Sequence, residues 1–358
     1  MPFLPHLLFL LANQAVFGLT TAGIDTASNV LIMELWETQS NRYLQTMHLG
    51  YSVGATISPL LARPFVFADD IKNNATIISN SSSVLIPASD LKIIIPFAIA
   101  AAISALAGIV FLCAEMLNPY KSPQRSITRK NQLTEKIEAG EESSDEQQLL
   151  SNQLLPMSYY YIFVTCAALL FCIYLGIECN IGNFLPMYLR QLKLGITEKT
   201  ALYISATFNA MYIVMRIISI ILAFKLNTAV MLSFSFALLL ASNIHMFLSS
   251  STSVLSIWIH IGFIGASCAW VYPGFYAFVE ERIDVTNPIG GLFTFSSSVI
   301  TSVAPLVVGN FIDNNPQVFV FWNLASIICV SILFLALLGT DVWKKKALTR
   351  LTVYRIAQ

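Results

Sequence analysis

GLTTAGIDTASNVLIMELW, residues 18–36, places one carboxylate, Asp25, inside a run that is otherwise small or apolar. The apolar run reaches back to about residue 5, long enough as a helix rising 1.5 Å per residue to cross a hydrocarbon core of about 30 Å. An ionisable side chain at that depth costs about 2.5–3.5 kcal/mol on insertion scales, so function is its default reading. Thr21 and Asn29 stand one turn to either side of Asp25, so the three polar groups share a stripe suited to an aqueous cavity. The competing reading is an acid kept for packing, hydrogen-bonded to a neighbouring helix.

Composition extends this one helix to the whole chain. Of 358 residues, 56% are hydrophobic and only 11% charged, with a mean hydropathy of +0.69, which places the chain among polytopic membrane proteins. A formal net charge of zero gives no electrostatic case for a nucleic-acid partner. Cys113, Cys166, Cys172, Cys179, Cys268 and Cys329 all lie in apolar runs without metal-ligand spacing and read as small apolar fillers. The first run has no basic segment ahead of it and reads as a helix rather than a cleavable signal. No nucleophile–base pair, metal cluster or phosphate-cradling glycine loop is present, so an enzyme is not expected and no cofactor is implied.

Runs long enough to span fall at about 5–36, 45–64, 93–116, 158–185, 198–224, 229–249, 254–279, 288–312 and 317–340, nine in all. They group as a partial N-terminal helix bundle over 1–116, a cytoplasmic disordered linker over 117–157, a C-terminal six-helix bundle over 158–340 and a basic cytoplasmic tail over 341–358. The loop 66–92 carries glycosylation sequons at Asn74 and Asn80, which are useful only outside the cytoplasm. With that loop outside, 13 of the 20 Lys and Arg fall on the cytoplasmic side and six on the other, so the positive-inside bias selects the same topology. The C-terminus is then cytoplasmic, and the basic tail lies against lipid headgroups.

A shift of 246 residues lays Ser52-Val53, Pro59-Leu60, Phe65 and Glu34 on Ser298-Val299, Pro305-Leu306, Phe311 and Glu280. Parallel six-helix repeats are a signature of the major facilitator fold. Three spans precede the repeated pair in the later half and none in the earlier, so the chain is expected to be a three-plus-six arrangement without the first three helices of a twelve-helix design.

The residues also carry a resemblance. G-x-D-T-x-x-N-V-L at 23–31, Glu34-Leu35-Trp36, L-Q-x-x-H at 44–48, G-A-x-x-x-P-L-L at 54–61, Y-L-G-I-E at 174–178 and P-G-F-Y-A-F-V-E-E-R at 273–282 resemble the sodium-dependent glucose transporter-like group of the major facilitator superfamily, related to the fucose permeases. The resemblance covers the chain apart from the linker and tail. It implies a secondary active carrier of a glucose-like monosaccharide in the plasma membrane, with sodium as coupling ion. It also implies a role for Asp25 in substrate and cation coupling.

Several other residues are candidates. Glu178 lies deep in the fourth span, with Asn180 and Asn183 beyond it. Gly176 and Gly182 would permit the helix break that exposes backbone oxygens to an ion, and hard oxygen ligands suit sodium. Trp270 and Tyr272 stand beside the breaker Pro273-Gly274 as aromatic walls for a sugar, with Asn209 and Ser296 to Ser298 as polar partners; core packing is the alternative. Glu34, Arg216 and Glu280, with Glu281, fall near cytoplasmic ends of spans, as ion pairs gating alternating access or as solvated ends. His245 and His260 read as packing histidines. The expected function is alternating-access transport of a sugar across the bilayer. The other reading is a truncated, non-transporting membrane protein or incomplete gene product that acts as a partner or regulator.

Overall fold

The computed structural model describes residues 7–66, 94–121, 157–192, 194–249 and 253–356. Every regular element among them is helical: α1 (Leu7–Trp36), a 3-10 turn (Glu37–Gln39), α2 (Ser40–Val66), α3 (Ile94–Leu117), α4 (Met157–Gln191), α5 (Glu198–Leu222), α6 (Thr228–Ser249), α7 (Val254–Cys268), α8 (Val271–Glu280), α9 (Asn287–Phe311) and α10 (Gln317–Ile356). A long continuous apolar run in lipid is met by helix, in which each backbone N–H and C=O finds its partner within its own segment.

Eight stretches among the described residues are long and apolar enough to cross a membrane, with α7 and α8 together forming one, Val254–Glu280. The ninth expected span corresponds to α2, which has the length, at 27 residues. Its first three turns, however, carry Asn41, Arg42, Gln45 and His48, and it is not among the eight. The sequons at Asn74 and Asn80 and the stretch 122–156 of the expected linker lie outside the described residues. Beyond residue 340, where a tail was expected, α10 continues as helix through Ile356.

Two compact units divide the chain. Residues 1–20 and 50–122 form one; residues 21–49 and 123–358 form the other. The contacts therefore group the second half of α1 and the start of α2 with the later helices, where the sequence pattern alone grouped them with α3. In the first unit, α3 buries none of its residues, as a helix apolar on all sides can do in lipid.

In the second unit α4 is the central strut, packed on α9, α10 and α5, while α7 packs on α5 and α6. Phe171 on α4 meets the rings of Tyr272, Phe275, Tyr276 and Phe293 at centroid separations of 4.8, 5.7, 5.1 and 5.5 Å. In lipid, close packing of this kind replaces the hydrophobic effect as the force between helices. Gly265 shows how tight it becomes: a Cβ there would overlap the backbone carbonyl of Phe208, so α7 and α5 approach to a distance only glycine allows.

Two expected breaks resolve differently. At Ala269–Trp270 the helix does interrupt, between α7 and α8. The cause is Pro273, which cannot donate a helical N–H and sits in the first turn of α8, where none is required. At Gly176 and Gly182 no break occurs, and α4 runs as 35 continuous residues with Pro186 inside it. Glycine permits a break without imposing one, and an intact hydrogen-bond ladder is favoured wherever no ligand competes for it.

Candidate functional site

Asp25 is half-buried on α1 and both of its carboxylate oxygens are engaged. The Tyr272 hydroxyl on α8 donates to Oδ2 at 2.6 Å, and Asn29 Nδ2 donates to Oδ1 at 3.2 Å and to the Asp25 carbonyl at 2.8 Å. Asn29, fully buried, offers its remaining oxygen to His48 Nε2 at 3.1 Å. An amide oxygen only accepts, so the imidazole donates. Every donor in the string from His48 through Asn29, and from Tyr272, is thus directed toward the Asp25 carboxylate. The His48 ring packs against Tyr272 at 4.8 Å, closing the string on itself. One residue along, Thr26 and Thr294 on α9 share a hydrogen bond of 2.8 Å. The helices meet here because Gly290 lacks a side chain: a Cβ would lie 2.9 Å from Thr26 Cγ2 and 3.3 Å from Val30 Cγ2.

A second acid, Glu178, lies on α4. Tyr174, one turn before Glu178 on α4, donates to Glu178 Oε1 at 2.5 Å, and its hydroxyl also lies 3.0 Å from the Cys268 carbonyl. Tyr212 on α5 donates to the same Glu178 oxygen at 3.4 Å and receives Arg216 Nη2 at 2.6 Å. Arg216 is only 1% exposed. Gln45 ties α2 into this layer: its Nε2 reaches the Trp270 carbonyl at 3.3 Å, and its Oε1 accepts from Ser219 Oγ at 3.0 Å.

The remaining expected residues are dispersed. Trp270 is 3% exposed, packs its ring on Phe234 at 6.1 Å, and presents no free face to a sugar in this conformation. Asn209 is exposed, with its amide turned back on the Ser205 carbonyl at 3.5 Å. Asn183 is exposed beside Cys179 and helps line a cavity of about 430 Å³ with Met187, Arg190, Glu198 and Asp313. Asn180 is fully buried and bonds Asn323 at 2.9 Å, a packing contact between α4 and α10. The three residues expected as gating ion pairs do not meet one another. Arg216 donates to Tyr212, Glu280 accepts the backbone N–H of Val285 at 2.8 Å, and Glu34 stands half-exposed at the end of α1. Arg282 forms ion pairs with Asp341 at 2.7 Å and with Glu281 at 3.3 Å.

Gln45, His48 and Tyr174 stand in the sequence motifs but were not among the candidate site residues, and Tyr212 was in neither. Tyr174–Glu178 and Tyr212–Arg216 are both i, i+4 pairs, a spacing at which side chains on one helix face meet, and that signal was available.

The Major Facilitator Superfamily profile matches residues 1–305. The chain belongs to this superfamily of membrane carriers. The human sodium-dependent glucose transporter 1 is 22% identical over 93% of the chain and 62% of its own length, so the chain spans under two thirds of that relative. The mouse sodium-dependent glucose transporter 1A is 23% identical over 93% of the chain and 76% of its own length. The major facilitator superfamily domain-containing protein 4A of Xenopus tropicalis is 25% identical over 86% and 69%. Among solved structures, a variant of the E. coli fucose:proton symporter FucP superposes with a TM-score of 0.60 at 13% identity, covering 88% of this chain and 73% of that one. That likeness shows the fold.

Proposed function

We propose that the protein is a secondary active carrier of a glucose-like monosaccharide, with sodium as coupling ion, working by alternating access in the plasma membrane. The observation that carries the reading is the bond between Asp25 and Tyr272. It joins an acid at bilayer depth on α1 to the helix that follows the Ala269–Trp270 break, and its partners Thr26–Thr294 and Gln45–Trp270 reinforce the same seam. In the topology drawn from charge, with the C-terminus cytoplasmic, the seam occupies the cytoplasmic half of the bilayer. Its closure then seals that side, and its opening is the conformational step of transport. Similarity to the sodium-dependent glucose transporters supports the choice of substrate and ion.

The full chain reconstituted in proteoliposomes decides this. Radiolabelled hexose accumulates in sodium and fails to accumulate when choline replaces it. Absence of hexose uptake in either salt overturns the reading and favours a non-transporting membrane partner.

A further inference from the structure

We propose that Arg216 is the internal counter-cation of Glu178, holding the acid's charge while the site is empty and releasing it when a coupling cation arrives. This deepens the carrier reading above and rests on it for its physiological meaning.

Arg216 is 1% exposed, yet its guanidinium forms no ion pair within 4 Å among the described residues, and its Nε has no hydrogen-bond partner. Its carbon lies 4.7 Å from the centroid of the Tyr212 ring, and Nη2 gives its hydrogen bond to the Tyr212 hydroxyl. That hydroxyl in turn donates to Glu178. A phenol accepting from a cation while donating to an anion relays charge between the two, so guanidinium and carboxylate stand one oxygen apart. A fully buried cation without an anion is costly, and Glu178 is the acid to which the relay leads. The arrangement is not a direct salt bridge and stops short of the strongest pairing available to these two groups. A cation reaching Glu178 would meet an oxygen already supplied with donors from Tyr174 and Tyr212 and would compete with Arg216 for the same charge. Glu178 is thus faced directly by Tyr174 and Tyr212, and behind them stand the Cys268 carbonyl on Tyr174 and Arg216 on Tyr212. Ser219 holds Arg216 in register, its hydroxyl donating to the Arg216 carbonyl at 2.7 Å and to Gln45.

The consequence is measurable without sugar. In the purified full chain, thermal melting is titrated with sodium against choline at fixed pH, and with pH in choline, for wild type, Arg216→Gln, Arg216→Lys, Tyr212→Phe and Glu178→Gln. Removing an opposing cation beside a carboxylate strengthens cation binding by about tenfold or more. Arg216→Gln therefore reaches half-maximal stabilisation at about one tenth of the wild-type sodium or proton concentration. Arg216→Lys stays near wild type, Tyr212→Phe shifts in the same direction by less, and Glu178→Gln loses the response. A response to sodium identifies sodium as the competitor, and a response confined to pH identifies the proton. An unshifted cation midpoint in Arg216→Gln overturns the proposal, and if that variant does not fold, an unshifted Tyr212→Phe does so. Hexose uptake is read in parallel: a shifted midpoint in a chain that moves no hexose upholds the counter-cation and overturns the sugar reading alone.

Discussion

The two intramembrane acids are held in opposite ways. Asp25 is bonded to α8 by Tyr272, 247 residues away, and through Asn29 to His48 on α2, so its contacts reach both the adjacent helix and one far off in the sequence. Glu178 is bonded by Tyr174 on its own helix and by Tyr212 on the next, so its contacts stay within the later helices. The difference separates two tasks. Bonds that cross the seam must break if the early helices move against the late ones. Bonds inside the late group travel with it as a rigid set. Under the proposed transport cycle, Asp25 would report on conformation and Glu178 would hold a charge.

The sharpest way to break this comparison is to remove the charge at the seam. Hydrogen bonds to charged groups are worth about 1.5–3 kcal/mol, which is about 10- to 100-fold in rate or affinity. Asp25→Asn, which exchanges an acceptor-only group for one that must also find acceptors, is expected to lower hexose uptake per folded molecule by that factor. Equal uptake by Asp25→Asn and wild type, measured over the initial minute in proteoliposomes, would remove Asp25 from the cycle. Next comes the close approach at Gly290. Overpacking costs about 1–3 kcal/mol, and Gly290→Leu drives carbon into Thr26 and Val30. The expected result is loss of the closed seam, seen as faster cysteine labelling of Thr26→Cys by a polar maleimide. Unchanged labelling would show that α9 yields freely at this point.

Tyr272→Phe keeps the ring contacts with Phe171 and His48 and removes one donor from Asp25. It should cost less than the acid itself, about tenfold in uptake or less. A loss as large as that of Asp25→Asn would mean the hydroxyl contributes beyond its bond. The smallest effect on transport belongs to Asn180→Ala, within the late group. Leaving Asn323 buried without its partner costs about 1–3 kcal/mol of stability. The variant melts lower while its uptake per folded molecule stays at the wild-type level. A selective loss of uptake there would blur the division between seam and rigid group.

Much of this was legible in the sequence, for reasons that differ from residue to residue. The helices were readable because bilayer length demands about 20 apolar residues, a requirement that composition alone reveals. Asp25 and Asn29 were readable as neighbours because four residues make one turn. Tyr272 was noticed beside Pro273 but read as a sugar wall. Its bond to Asp25 joins residues 247 apart, and no local periodicity encodes such a meeting. Of the two readings open for Trp270, sugar wall or core packing, its contact with Phe234 and its burial favour packing, and that burial depends on a neighbouring helix. The expected opening of α4 failed because glycine lowers the barrier to a break without supplying a partner for the freed carbonyls. Glu34, Arg216 and Glu280 resembled one another by depth in the membrane, whereas Arg216 bonds Tyr212 one turn back on its own helix and Glu280 bonds the Val285 backbone.

The seam itself is open to one decisive measurement. Thr26 and Thr294 meet oxygen to oxygen at 2.8 Å, so cysteines in their places are within disulfide reach. In a background with the native cysteines replaced, oxidised Thr26→Cys/Thr294→Cys protein is expected to take up no hexose, and a reducing agent is expected to restore uptake, while each single variant ignores the oxidant. Undiminished uptake by the quantitatively cross-linked protein would show that the helices stay together throughout the cycle, and would contradict the seam as the moving part.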